Sequence, residues 1–286
     1  MTSRLIATSL TSTVTLNDGV IMPLFGLGVY QVDNNCPDVV AAAINQGYQL
    51  IDTAEFYANE DGVGNGIKQS GKKREDIFIV SKWWPSSEGE KGVIKTLDTC
   101  LQSLQSSYVD LYLLHAPQGR HCAEAYRALI EAKKQGKIIS LGVSNFGVVH
   151  LKALAKLGLD KPSVNQIELH PWQQKKDIVN YCREHNIVVM GYSPLAKGQK
   201  IQDKTIGGIA NKLSKTPAQV LIRWSVQHGF ITIPKTSQKS RLQSNADVFD
   251  WSIPDEDMKV LDALGNTPWS CTWDPTHNSL KEAGLE

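Results

Sequence analysis

Asp52, Lys82 and His115 each close a short apolar run, in LIDTAEFY, IFIVSK and DLYLLH, and Tyr57 lies five residues beyond Asp52. Side chains of these types, gathered in one place, can move a proton. A free phenol with a pKa of about 10 donates sluggishly near neutrality. An ammonium roughly 4 Å away contributes on the order of 4 kcal/mol at an effective dielectric near 20, or about three pKa units. Lys82 is therefore expected to bring the Tyr57 phenol down into a useful range. Asp52 would keep Lys82 charged by pairing with it, and His115 would orient a substrate oxygen. Such a site protonates a developing alkoxide on a carbonyl carbon, with hydride supplied by a bound cofactor because no side chain donates hydride. Taken singly, each residue has a blander reading, as a loop cap, a solvated lysine or a satisfied core histidine. Three consecutive strands that each end in an ionisable group favour the site.

One rim can hold these residues only if the strands run in parallel. The segment VTLNDGVIMPLFGLG gives two apolar runs around NDG, a hairpin signal. Counting FGLG as the first, eight short apolar strands follow, each succeeded by helical sequence. Alternation of this kind means parallel strands with crossover helices. Thr216, Pro217 and Gln219 form a capping-box start, and Gly136, Gly158 and Gly229 stop three helices. No strand is followed by GxGxxG, and GVGNG (Gly62 to Gly66) lies inside helical sequence. The strand count, the length and the lack of a composition shift favour a (β/α)8 barrel with a short N-terminal hairpin, residues 1–286 forming a single domain.

Composition excludes other classes. A formal net charge of +1 with interspersed signs disfavours nucleic acid and anionic membranes as partners. Cys36, Cys100, Cys122, Cys182 and Cys271 show no metal-ligand spacing and suit reduced thiols in a cytoplasm. The opening MTSRLIATSLTSTVTL lacks the continuous apolar region of a secretory signal, and no run approaches the ~18 apolar residues of a membrane span.

The chain resembles the aldo-keto reductases over essentially its whole length, through GLGVYQ, IDTAEFYANE, IFIVSK, DLYLLH, LGVSNF, NQIELHP, GYSPL and IPKTSQKSRLQSN. The resemblance implies a catalytic tetrad of Asp52, Tyr57, Lys82 and His115, with the tyrosine as proton donor. It implies that Ser144, Asn145 and Gln166 hold a nicotinamide carboxamide and that Tyr192 stacks beneath the ring. Ser193 and Leu195 would follow the pyrophosphate, and Lys235, Thr236, Ser237, Arg241, Ser244 and Asn245 would surround the adenosine end. Gly28, Val29, Tyr30 and Asp52 complete the cofactor set. Two cations with hydroxyl donors suit a dianionic ribose phosphate better than a hydroxyl pair, so NADPH/NADP+ is expected over NADH.

Some positions depart from the family pattern: Ala116 follows the histidine, KWWP stands at strand 3, and the loops APQGRHC, the segment after SPLAKG and the tail from Leu264 are short. These short loops are similar to those of diketogluconate reductases, glyoxal reductases and protist prostaglandin F synthases. Tyr30, Trp83, Trp84, Trp172, Trp269 and Trp273 are candidate walls of an open pocket; Tyr30, Trp84, Trp269 and Trp273, with Tyr57 and His115, are taken as the substrate contacts. The resemblance implies a small carbonyl substrate and a monomer. Two other readings are a catalytically weak NADPH-binding regulatory subunit and a metal-dependent barrel hydrolase using His115 and His121. The complete tetrad and the absence of an added N-terminal segment disfavour the first; the shortage of further ligands at strand ends disfavours the second.

Overall fold

Runs rich in Val, Ile and Leu form strands buried on both faces, as a parallel sheet requires. The computed structural model describes residues 6–286; the first five residues of the Ser/Thr-rich opening segment lie outside the described residues. The two runs around Asn17, Asp18 and Gly19 give β1 (Thr13–Thr15) and β2 (Ile21–Pro23), an antiparallel pair. Then come β3 (Leu27–Gly28), β4 (Leu50–Asp52), β5 (Phe78–Trp83), β6 (Val109–Leu114), β7 (Ile138–Ser144), β8 (Val164–Glu168), β9 (Val188–Tyr192) and β10 (Ile231–Thr232). Among the described residues β3 to β10 form one eight-stranded sheet in sequential order, each strand parallel to the next. Parallel bridges join Phe25 to Thr232 and Gly28 to Lys235, and Gly26 N donates to Thr232 O at 3.1 Å, which closes the sheet into a (β/α)8 barrel.

The hairpin plugs the end opposite the candidate site. Asp18 accepts from Lys133 at 2.6 Å, Ser140 at 2.9 Å and Ser163 at 3.0 Å, and Asn17 donates to Pro162 O and Asn186 O, each at 3.0 Å. These partners sit at the amino ends of β7, β8 and β9, so the carboxyl ends stay open for chemistry.

The capping box is present: Gln219 N donates to the Thr216 hydroxyl at 3.2 Å, and Thr216 N to Gln219 Oε1 at 3.0 Å. The segment after SPLAKG, by contrast, is not simply short. It contains a helix, Lys204–Lys212, whose N-cap Asp203 accepts from Thr205 N and Ile206 N. The adjacent Gly207 and Gly208 mask it in the sequence, because glycine is a poor helix former. All five cysteines are free, and no helix among the described residues is long and apolar enough to cross a membrane.

GVGNG lies in the helix Glu60–Ser70, and its glycines serve packing. A Cβ on Gly66 would stand 2.6 Å from Val40 Cβ and 2.7 Å from Pro37 O; one on Gly64 would stand 2.7 Å from Ser103 O. The flanking helices Cys36–Asn45 and Gly89–Leu104 therefore approach as closely as they do because nothing projects from these positions. Intrinsic propensity alone would make Gly66→Ala stabilising by about 1 kcal/mol. The contact makes the opposite prediction, a loss of about 1–3 kcal/mol in urea unfolding; a gain would contradict the close packing.

Candidate active site

Asp52 is the last residue of β4 and Lys82 the fifth of β5. In the register Asp52 faces Val80, so Lys82, two residues on, projects from the same face as Val80. The Lys82 ammonium is fully buried and donates to Asp52 Oδ1 at 2.7 Å, to Thr53 O at 2.8 Å and to the Tyr57 oxygen at 3.3 Å. Gln166 on β8 donates to the other oxygen of Asp52 at 2.7 Å. An ammonium has donors only, so the Tyr57 oxygen must be the acceptor in its contact with Lys82. The phenolic proton is then free to point elsewhere, and among the described residues no side chain or carbonyl accepts it. Tyr57 occupies the single 3-10 turn Glu55–Tyr57 just past Asp52, half-buried at the rim.

Burial works against both charges of the pair, pushing the Asp52 carboxyl up and the Lys82 ammonium down, and each is supported by the other. The Tyr57 phenol corrects the expectation drawn from the sequence. Burial holds it well above the ordinary tyrosine value, with the Asp52 charge adding to the rise. Burial outweighs the Lys82 ammonium, and Asp52, 2.7 Å from that ammonium, offsets part of its field. His115, directly after β6, is driven well below the usual histidine value by burial and by Lys82, and is therefore neutral; its Nδ1 is buried without a partner.

Behind this group, Ser144 donates to Gln166 O at 2.9 Å, and the Asn145 amide donates to His115 O at 2.9 Å. The Tyr192 hydroxyl donates to Asn145 Oδ1 at 2.9 Å. Asn145 and Ser193 have positive φ, 61° and 51°, a conformation uncommon outside glycine that tends to gather at functional sites. Leu195 is half-buried on the same loop. Beyond β10, Thr236 and Asn245 are buried, Ser237 and Ser244 half-buried, Lys235 half-buried and Arg241 exposed. Among the described residues neither the Lys235 ammonium nor the Arg241 guanidinium has an ion-pair or hydrogen-bond partner. Gly28 ends β3 and Val29 and Tyr30 follow it, with the Tyr30 ring 4.9 Å from that of Tyr57.

The aromatic walls divide. Trp84 stacks on Phe56 at 4.6 Å, meets Trp273 at 5.5 Å and stands edge-on to His115 at 5.0 Å. Phe56 and Trp273 remain 54% and 46% exposed, so this stack is a surface. Trp83 and Trp172 are core residues, 1% and 6% exposed, and are not walls. Trp269 joins a separate cluster with His170, under the Lys200 ammonium, and makes no ring contact with the Trp84 stack. Two further residues flank the tetrad. Phe56, beside the tyrosine, was readable from its position; Asn59, which donates to Val29 O at 2.8 Å and Val32 O at 3.0 Å and accepts from Thr53, was hidden in a helix start. His121, at the start of a helix, bonds Glu124 at 2.9 Å.

The family model described as "Aldo/keto reductase family" matches residues 25–266. The chain is 46% identical to the glyoxal reductase of Bacillus subtilis (strain 168), over 90% of this chain and 94% of that protein. It is 40% identical to the 9,11-endoperoxide prostaglandin H2 reductase of Trypanosoma cruzi (strain CL Brener), over 88% and 90% respectively. The crystal structure of an aldo/keto reductase from Brucella melitensis superposes with a TM-score of 0.84 at 40% identity, covering 89% of this chain and 99% of that one.

The direction of the Tyr57 shift is open to direct titration. In the cofactor-free protein the tyrosinate absorbance of the parent minus that of Tyr57→Phe should stay flat through pH 10, because burial favours the protonated phenol. A step at or below that pH would mean that Lys82 dominates after all.

Proposed function

Because the chain belongs to the aldo/keto reductase family, we propose that it reduces aldehydes or ketones to alcohols, with hydride from NADPH and a proton from Tyr57. The observation that carries this reading is the line of hydrogen bonds from Tyr57 through Lys82 and Asp52 to Gln166, which leaves one phenolic proton without a protein acceptor. When bound, the nicotinamide supplies the hydride that no side chain can give. As charge grows on the carbonyl oxygen, Tyr57 passes its proton to that oxygen. The phenolate left behind gains the Lys82 ammonium at 3.3 Å, a contact worth most when the tyrosine is charged. His115, neutral, offers an imidazole N–H to the same oxygen without adding a competing acid. One carbonyl, one NADPH and one proton give one alcohol and one NADP+; solvent returns the proton to Tyr57.

Ser144, Asn145 and Gln166 are assigned to the carboxamide, Tyr192 to the face of the ring, and Ser193 and Leu195 to the pyrophosphate. Gly28, Val29 and Tyr30 flank them. Lys235, Thr236, Ser237, Arg241, Ser244 and Asn245 are assigned to the adenosine end. Two cations without protein partners support a ribose phosphate there and hence NADPH over NADH. Phe56, Trp84 and Trp273 are assigned as an apolar wall for the carbonyl's substituent, and the glyoxal reductase among the relatives supports small dicarbonyls within the range. In this reading residues 1–286 act as one monomeric domain in the cytoplasm, the compartment being the part that the free thiols support.

Following NADPH absorbance over glyoxals, sugar ketones and aromatic aldehydes tests the assignment. The parent protein should consume NADPH with at least one of them and NADH poorly. Tyr57→Phe should lower kcat by roughly 10²–10⁴-fold while NADPH binding stays near parental strength. Undiminished turnover by Tyr57→Phe, or no turnover by the parent on any carbonyl, would contradict the proposal.

A further inference from the structure

Glu168 ends β8 with its carboxylate buried, and the proton transfer described above does not use it. Its oxygens instead collect donors. Oε1 accepts from Cys271 N at 2.7 Å and from His170 Nε2 at 2.8 Å; Oε2 accepts from Thr272 N at 3.1 Å and from the Thr272 hydroxyl. With its proton on Nε2, His170 carries a bare Nδ1, which matches the lack of any partner on that buried atom. Burial pushes the Glu168 carboxyl up, but these donors prevail and hold it below the usual carboxylate range. Ligand-type atoms of Glu168, His170 and Cys271 fall within 4.8 Å of one another. Even so, both carboxylate oxygens are already taken up by N–H and O–H groups, which suits a latch rather than a cation.

The latch holds a specific piece of chain. Residues 269–274 cross the open end of the barrel, tied also by Trp269 N to Trp172 O at 2.9 Å and by Lys175 to Asp274 at 2.5 Å. Trp273, next in sequence to the latched Thr272, contributes to the aromatic stack with Trp84. Thr272 Oγ1 lies 3.2 Å from the Tyr192 hydroxyl, whose other partner is Asn145 Oδ1. A threonine hydroxyl has one proton. Directed at the Glu168 carboxylate, it leaves the Thr272 oxygen as an acceptor only, so the link to Tyr192 is a three-centre one, the single Tyr192 proton lying mainly toward Asn145 Oδ1 at 2.9 Å and partly toward Thr272 at 3.2 Å.

We propose that Glu168 is a positioning residue: it latches the C-terminal strap across the barrel mouth and, through Thr272, fixes the Tyr192 phenol in the attitude that binds the nicotinamide cofactor. The strap stands on the contacts alone; the last clause rests on the function proposed above.

Glu168→Gln puts an NH2 group where only acceptors fit, Thr272→Val removes the relay hydroxyl while keeping its shape, and Thr272→Ser restores it. In the cofactor-free protein, hydrogen exchange at the Cys271 and Thr272 amides should quicken about tenfold or more in Glu168→Gln, with the amides of β6 and β7 unmoved. NADPH titrated by fluorescence quenching should bind about tenfold more weakly to Glu168→Gln and to Thr272→Val. Thr272→Ser should recover most of that loss, and the double variant Glu168→Gln/Thr272→Val should be no weaker than the poorer single one. Unchanged exchange at residues 271 and 272 overturns the latch. Additive losses, or a Thr272→Ser as weak as Thr272→Val, overturn the relay to Tyr192. Failure of the parent to bind NADPH would remove the proposed function and the cofactor clause together, leaving the exchange measurement to judge the strap. Should Glu168→Gln fail to fold, the valine–serine pair at 272 still decides the relay.

Discussion

A lysine ammonium with no exposed surface is the constraint around which this structure is arranged. Taking such an ion out of water costs several kcal/mol, and only close pairing with full hydrogen bonding offsets it. Lys82 has three donors and three acceptors: the Asp52 carboxylate, the Thr53 carbonyl and the Tyr57 oxygen. Asp52 in turn is held by Gln166, which stands on a strand four places round the ring of eight. A contact across the full width of the barrel is possible only because the interior of an eight-stranded barrel is just wide enough for side chains to fill. The buried pair therefore ties two opposite walls together at the rim where the chemistry is assigned.

That pair also settles how the phenol behaves. A free ammonium beside a tyrosine would make it acidic, but an ammonium matched by a carboxylate presents a reduced field. Burial then decides, and the phenol keeps its proton in the resting protein. For an acid this is the useful state. The proton stays in place until negative charge develops on a neighbouring oxygen, and the lysine contact gains its value as the tyrosine becomes charged. The neutral His115 fits the same logic, since a second cation so near Lys82 would be repelled.

Much of this was legible in the sequence. Strands buried on both faces read as continuous apolar runs, so their ends, with Asp52, Lys82 and His115, stand out in the sequence. The hairpin around Asn17, Asp18 and Gly19 and the cap at Thr216 were equally plain, because turn and cap chemistry is local. What failed was whatever depends on distance between remote residues. The sign of the Tyr57 shift is not legible because burial, set by residues remote in the chain, decides it. Trp83 reads as a wall beside Trp84 only if the alternation of a strand is overlooked: neighbours face opposite sides, and the lysine at 82 directs 83 away from the site. The helix Lys204–Lys212 was lost behind paired glycines. The tail around Thr272 has no periodic pattern at all; its place is set by a carboxylate a hundred residues earlier in the chain.

Whether Lys82 is an ammonium held by an ionised Asp52 can be read by nitrogen NMR. With 15N-labelled lysine side chains, and the Lys82 resonance assigned by its loss in Lys82→Met, an ammonium signal is expected at pH 7 that shifts markedly in Asp52→Asn. A neutral-amine signal at that pH, or a Lys82 resonance indifferent to Asp52→Asn, would contradict it.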